Sequence, residues 1–453
     1  MEHSLGTVTI KPDKRWILRS GGILLLLALG GAWALKENGG VRGLLAREDS
    51  VSPAAASMGG KYDEDRSKPK RSREDIQRLA EKWYREILEK HPEMKLSFKD
   101  VPDERNGFLQ FLNFMDRFGK YGADGLPLPE NISAMLNGSS PWDAAAIAKW
   151  LEENRALVEE INSIGLMEEQ SVKGIDMERT KFFGGRLANE CSKLLLADAR
   201  LSMEGGDEAA ALQSAQAVFG LADHLDRMEM PSLLSETVAI LMRINARKAI
   251  VNEILGAEGG TTADLAAWQG LLAGDSETPA DLAEVFFGEW HHTVRSYLMP
   301  GLLGDPDYLP VLMDSSKAEP GTNGEIRDPD AVVEAHLRYF SSLMAQMKNS
   351  ELGELPGLSA NPPDKTGVSQ NGAAILDLLY VGSSAWSKGW TRSQTDKALY
   401  QAALQAASGG ELPLEPYTGK PFVIDRETGT VSLPEDPWLD SMNYQPVKIP
   451  VVK

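Results

Sequence analysis

Cysteine is nearly absent: Cys191, in NECSKLLL, is the single one among 453 residues. An intramolecular disulfide is therefore impossible, and zinc sites built on several thiolates are excluded. Positive charge is scarce as well. The 47 Lys and Arg stand against 66 Asp and Glu, a formal net charge of −19. That balance argues against a nucleic-acid partner, since phosphate binding needs clustered cations. Familiar catalytic motifs are missing too. There is no Gly-x-Ser-x-Gly elbow, no His-Glu-x-x-His, and no Gly-x-Gly-x-x-Gly after a strand. Long apolar runs are absent except for one.

That run is GGILLLLALGGAWAL near the N-terminus, preceded by Lys11, Lys14, Arg15 and Arg19. The uncharged stretch Ser20 to Leu35 would reach roughly 24 Å as a helix, short of a hydrocarbon core of about 30 Å. Starting at Trp16 makes it long enough, with Arg19 able to snorkel at the cytoplasmic end. The basic residues ahead of it place the N-terminus in the cytoplasm. We read 1–15 as a cytoplasmic basic segment and 16–35 as a transmembrane anchor. Ala32-Trp33-Ala34 also fits a signal-peptide cleavage site, and cleavage after Ala34 would secrete the body. Either way the remainder is exported, to the periplasm. Residues 36–71, rich in Gly, Ser, Pro and charge without periodicity, read as a flexible tether.

From Ser72 the apolar spacing becomes helical and stays so to about residue 408. Ser72 with Asp75 reads as a capping box, and His91-Pro92 as a stop. Ser140-Pro141-Trp142-Asp143 reads as a start, for one helix closing at Gly165. Helices follow at about 185–203, 207–227 and 231–255. Further ones start at Thr262, Thr278-Pro279 (ending at Pro300) and Asp328-Pro329. The last two cover 373–385 and about 393–407, before Gly409-Gly410. Loops are expected near 119–139, 300–328 and 350–371. The expected fold is mainly α, an antiparallel helical array (72–408) followed by a small C-terminal β-hairpin and tail (409–453).

Several residues invite chemistry. Glu289-Trp290-His291-His292 holds one Glu-x-x-His, a spacing that puts a carboxylate and an imidazole on one helix face. Di-iron bundles need two such motifs and two further glutamates. Glu289 and His292 are therefore candidate metal ligands with an incomplete set, and no cofactor is expected. His291 and His292 would point about 100° apart. His224 and His336 read as hydrogen-bonded boundary residues, and Cys191 as a buried structural thiol. Gly419-Lys420, in ELPLEPYTGKPFVIDRETGTVSL, resembles the end of a phosphate loop. Pro421 replaces the required Ser or Thr, Leu414 replaces the earlier glycine, and no helix can follow. A turn leading into a hairpin fits instead.

LADARLSMEGGDEAAALQSAQAVFGLADHL resembles one tetratricopeptide-type hairpin, with no strict repeat of about 34 residues elsewhere. LLLADARLSMEGGDEAAALQSAQAVFGLADHL, PSLLSETVAILMRINARKAIVNEIL and LPLEPYTGKPFVI together resemble a group of uncharacterised, membrane-anchored helical proteins of planctomycete and verrucomicrobial bacteria. The last stretch is similar to that group's closing Asp-Pro-(aromatic)-x-Gly-Lys-Pro pattern, with Glu415 in place of the aspartate. The same end is faintly similar to type II secretion pseudopilins. The resemblance implies an exported helical body and carries no activity.

The function expected is that of a membrane-anchored scaffold or interaction protein of the bacterial envelope. Its partners would be envelope proteins, and the bilayer through residues 16–35. Two alternatives remain open: an envelope hydrolase or metalloenzyme with its site near Glu289 and His292 or under the 300–328 loop, and a component of a secretion or pilus-like assembly.

Overall fold

The first described helix shows how this chain forms its elements. The computed structural model describes residues 72–453, apart from 120–121, 123, 177–184, 257–261, 275–277, 305–325, 327, 359–360, 381–382 and 443. The basic segment, anchor and tether expected in 1–71, and most of the 300–328 loop, lie outside the described residues. No helix among the described residues is long and apolar enough to cross a membrane. Helix α1 (Arg73–Lys90) starts where the Ser72 side chain accepts from the Asp75 N–H, and Ser72 Oγ donates back to the Asp75 carboxylate at 2.8 Å. Its stripe Ile76, Ala80, Tyr84 and Ile87 is buried, the i, i+4 pattern of a half-buried helix. His91 closes it.

Helices α2 (Gly107–Asp116) and α3 (Glu130–Leu136) follow. The latter lies in a stretch expected as loop, where Pro129 precedes a single buried apolar residue, Ile132. The helix expected from 141 to 165 is two. Helix α4 (Ala144–Glu153) is capped by Asp143, not Ser140, the carboxylate accepting from Ala146 N–H at 3.0 Å. The chain breaks at Asn154, whose side chain donates to the Trp150 carbonyl, a local bond that competes with the helix. Helix α5 (Arg155–Gly165) resumes beyond it.

Helices α6 (Gly185–Glu204) and α7 (Glu208–Asp226) form the central hairpin, with Gly206 at φ +83° in the turn and Asp207 capping α7. Helix α5 closes at Gly165 as expected, and the same glycine also makes a close contact. A Cβ there would lie 2.3 Å from the Ala217 carbonyl, and one on Gly220 would lie 1.8 Å from the Gly165 carbonyl. The two glycines let α5 and α7 cross backbone to backbone. Phe108, Phe111, Leu187, Leu194, Leu195 and Leu221 fill the core around this crossing.

Helix α8 (Leu233–Ala249) opens with a Ser232–Ser235 capping box and runs into a π-helical turn, Ile250–Ile254. Helix α9 (Leu265–Ala273) is short. Helix α10 (Pro279–Thr293) begins at the Thr278–Asp281 capping box and also runs into a π turn, Val294–Leu298, then into α11 (Met299–Leu302). Pro300 therefore does not end the helix. The wider π turn relieves the clash a proline ring makes with the preceding turn. Helix α12 (Pro329–Asn349) packs on α10, with Phe286 and Phe340 at 6.3 Å between ring centres.

Helices α13 (Gln370–Leu378) and α14 (Ser383–Ser408) complete the helical part. Helix α14 begins ten residues ahead of its expected start. The β element is larger than the expected hairpin. Strand β1 (Val423–Asp425) pairs with β2 (Thr430–Ser432), and β2 with β3 (Val447–Lys448), all antiparallel, with α15 (Pro437–Asp440) in between. Val431, fully buried, sits between Ile424 and Val447 in register. With Phe422 it packs the sheet onto α14 and the Ile250–Ile254 turn.

Candidate functional site

The Glu-x-x-His face of α10 lies against backbone. Glu289 Oε2 accepts the Leu233 N–H at 2.9 Å, the first turn of α8, and Oε1 accepts the Thr293 hydroxyl at 3.1 Å. His292 Nε2 donates to the Met230 carbonyl at 3.0 Å. Just ahead of them Gly288 has no room for a side chain, since a Cβ would meet the Pro231 carbonyl at 2.0 Å. Glu289 and His292 do share a face, as the spacing predicts, and that face holds the 230–233 turn. A carboxylate at the positive end of α8 is well placed electrostatically. Burial nevertheless raises the Glu289 carboxyl to about 7, against the lowering effect of its Leu233 and Thr293 bonds. Among the described residues no group of three or more His, Cys, Asp or Glu side chains is arranged to hold a metal ion.

His291 turns away from His292 and toward α1. Its Nδ1 shares a 2.5 Å hydrogen bond with the Tyr84 hydroxyl, and Arg295 lies 4.8 Å above the Tyr84 ring while pairing with Glu81 at 2.9 Å. Burial, then the neighbouring His292 and Arg295, pushes His291 down to about 3, so the ring is neutral at ordinary pH. The Met94 carbonyl opposes this lowering from beside the ring, although Nε2 completes no well-formed hydrogen bond. His224 is fully buried and donates from Nε2 to the Ile164 carbonyl at 2.8 Å. Its ring fills the space over Gly107, where a Cβ would lie 2.2 Å away. His336 is buried against Phe340 with neither ring nitrogen hydrogen bonded, so it is no boundary residue; burial pushes it down to about 3. Cys191 is fully buried, and burial pushes its thiol upward, away from the reactive thiolate.

The Gly-Lys stretch is organised by Glu415. Its Oε2 accepts the N–H groups of Tyr417 at 3.1 Å and Thr418 at 2.7 Å, and the Thr418 hydroxyl at 2.7 Å. Its Oε1 accepts the Thr395 hydroxyl of α14 at 3.2 Å. Gly419 takes φ +63° and donates to the Glu415 carbonyl, which closes the turn. Lys420 points to the Glu435 carbonyl at 2.9 Å. A fully buried carboxylate occupies the centre of the turn, where a phosphate loop would offer N–H groups to a ligand.

A site that sequence reasoning missed lies between α7, α8, α9 and α14. It is a cavity of about 490 Å³. One wall is a single face of α7 that changes along its length, from Leu212 and Phe219 to Asp223 and Arg227. Leu271 of α9 extends the apolar end. Arg243 and Arg247 of α8 and Lys397 of α14 line the rest. Arg243 is fixed by Asp223 at 2.5 Å and by Asp226, and Arg227 shares Asp223 at 3.4 Å. Arg247 donates to the Ser393 carbonyl at 3.4 Å. Behind it stands Asp396, raised to about 7 by burial against the opposing pull of Arg247, Arg392 and Lys248. The sequence did hold a signal: Asp223/Arg227 and Arg243/Arg247 are i, i+4 pairs on consecutive helices.

Set against models of protein families, curated proteins and solved structures, the chain matches none.

Proposed function

We propose that this chain is a membrane-anchored, exported interaction protein of the bacterial envelope: an antiparallel helical scaffold, tetratricopeptide-like at the α6–α7 hairpin, that binds its partners without transforming them. The observation that carries this reading is where the reactive side chains go. Glu289, His292 and His224 are hydrogen bonded to backbone of neighbouring segments. Cys191 is sealed in the core. The cleft between α7, α8, α9 and α14 is lined instead by ion-paired guanidinium groups and apolar side chains, the composition of a binding surface.

The reading as a metalloenzyme at Glu289 and His292 is weaker, because both side chains already serve the 230–233 turn. Crosslinking of membranes carrying the full chain, followed by purification and identification of what is bound, tests the proposal. Recovery of a specific envelope protein in reproducible ratio is expected. Recovery of none overturns it.

A further inference from the structure

Asparagine is followed by glycine at Asn38, Asn106, Asn137, Asn323 and Asn371. This is the pair most open to self-attack, because glycine leaves its backbone nitrogen unshielded and its torsions free. Asn38 and Asn323 lie outside the described residues. The structure separates the other three. Asn106 is 2% exposed and caps α2, its Oδ1 accepting the Leu109 N–H at 3.2 Å and its Nδ2 donating to the Ser171 carbonyl at 2.8 Å. Gly107 donates to the Glu169 carbonyl at 2.8 Å, beneath the His224 ring. Asn371 is fully buried in the first turn of α13, and Gly372 has Val332 and Val368 packed over it.

Asn137 differs in each respect. It is exposed, in the turn that ends the seven-residue helix α3. Gly138 takes φ +68°, with nothing within 4 Å of the place a Cβ would occupy. The Gly138 N–H donates to the Met135 carbonyl at 3.0 Å, and Asn137 Nδ2 donates to Ser133 Oγ at 3.3 Å. Both bonds sit at an exposed helix end, the kind of place that opens at least cost. From α6, Lys193 Nζ donates to Asn137 Oδ1. Burial lowers this ammonium, against the raising effect of Glu190. Glu190 is itself engaged by Arg186 at 2.8 Å and by the Leu126 N–H at 2.6 Å. The direct partner of a half-buried cation is therefore a neutral amide.

From this arrangement we propose that Asn137 is a self-modification site, converted to aspartate and isoaspartate through a cyclic imide, with Lys193 stabilising the oxyanion on Oδ1. The Gly138 nitrogen gives its proton to hydroxide and bonds to Asn137 Cγ. Negative charge develops on Oδ1, which faces the Lys193 ammonium. The Cγ–Nδ2 bond then breaks, and Nδ2 takes a proton from water and leaves as ammonia. Water opens the imide at Cγ to give aspartate, or at the main-chain carbonyl to give isoaspartate. One water is consumed, one ammonia is released, and nothing is oxidised or reduced. In the aspartate product Lys193 gains an anionic partner in place of a neutral one, and the end of α3 is tied to α6 by charge. This is independent of the reading of the chain as a binding protein.

Peptide mapping by mass spectrometry tests it, on the full chain in nanodiscs sampled during incubation at mildly alkaline pH. Amide-to-acid conversion at Asn137 is expected at least about tenfold faster than at Asn106 or Asn371, which react only when buried structure opens around them. That comparison is made within the wild-type chain and needs no variant to fold. Lys193→Gln should slow conversion at Asn137 about threefold or more, the scale of one half-exposed charged contact, and Lys193→Arg should restore it. Gly138→Ala should slow it about tenfold or more, since a methyl group shields the attacking nitrogen and alanine disfavours positive φ. Conversion at Asn137 no faster than at Asn106 or Asn371 overturns the proposal. So does a folded Lys193→Gln variant that reacts as fast as the wild type or faster.

Discussion

The α6–α7 hairpin and helix α14 are both buried, and by opposite means. On α7 the inward residues include Ala211, Ala215, Ala217, Val218, Leu221 and Ala222, and the helix meets α5 through Gly165 and Gly220 with no side chain between. On the first half of α14 and just beyond it the buried residues among those described include Ser387, Thr391, Ser393, Gln394, Thr395, Asp396 and Lys397, beside a single large apolar one, Trp390. The hairpin buries apolar surface at close range, where dispersion and water exclusion do the holding. Helix α14 buries polar groups that depend on partners, Thr391 on the Ser387 carbonyl and Thr395 on Glu415. The difference shows where specificity is located. Small residues set how close two helices come, whereas polar residues set which segment each helix must meet.

Substitution can break this comparison on either side. Gly220→Ala should have the largest effect, a loss of about 3 kcal/mol or more, because its methyl group meets backbone that cannot rotate away. Calorimetric unfolding checks it, with Gly270→Ala as control. Gly270 lies inside α9 with open space at its Cβ, so alanine there should be neutral or slightly stabilising. On the polar side, Glu415→Ala removes the acceptor for Tyr417, Thr418 and Thr395 and should cost about 2–3 kcal/mol. Lys420→Ala, in the same turn, should change stability by less than about 0.5 kcal/mol, since its contacts are half exposed. Urea unfolding of the two variants side by side decides whether the carboxylate or the lysine holds the turn.

Glu289→Gln sharpens the comparison through pH. A carboxyl raised from 4.5 to about 7 keeps its proton in the folded state while the unfolded chain releases it, so stability falls as pH rises from 4.5 through 7. Glutamine retains an oxygen for the Leu233 N–H and cannot ionise. The variant should therefore be more stable than the wild type at pH 8, by about 2 kcal/mol, and lose that advantage near pH 4.5. His291 and His336, both lowered to about 3, act in the opposite sense. Their neutral burial costs stability as pH falls below 6.5, equally in both proteins, so the difference in melting temperature across pH isolates Glu289.

Most of the helical order was legible because the apolar stripes and caps are local. Ser72, Asp207, Thr278 and Asp328 all mark real starts. The early start of α14 was not legible. SSAWSKGWTRSQTDK has no apolar stripe, and the residues buried from Ser387 onward meet partners far along the chain. Strand β3 was missed for a related reason: two paired residues between prolines carry too little alternation to be seen. The Glu289–His292 face was found from spacing, but spacing fixes which residues share a face and leaves open what that face meets. The cleft escaped because its cations come from three helices. Gly220 was invisible as a contact because a glycine in a helix carries no pattern of its own.

The polar half of α14 also has a consequence for the order in which the chain acquires its structure. Arg392 receives the Tyr444 hydroxyl at its carbonyl from 52 residues downstream, and Thr395 meets Glu415 from 20 downstream. The central hairpin can pack as soon as its two helices exist, whereas α14 waits for segments made after it. As the chain is made from its N-terminus, the wall that carries Lys397 would be the last to set, and the cleft would stay unformed until the downstream sheet has arrived.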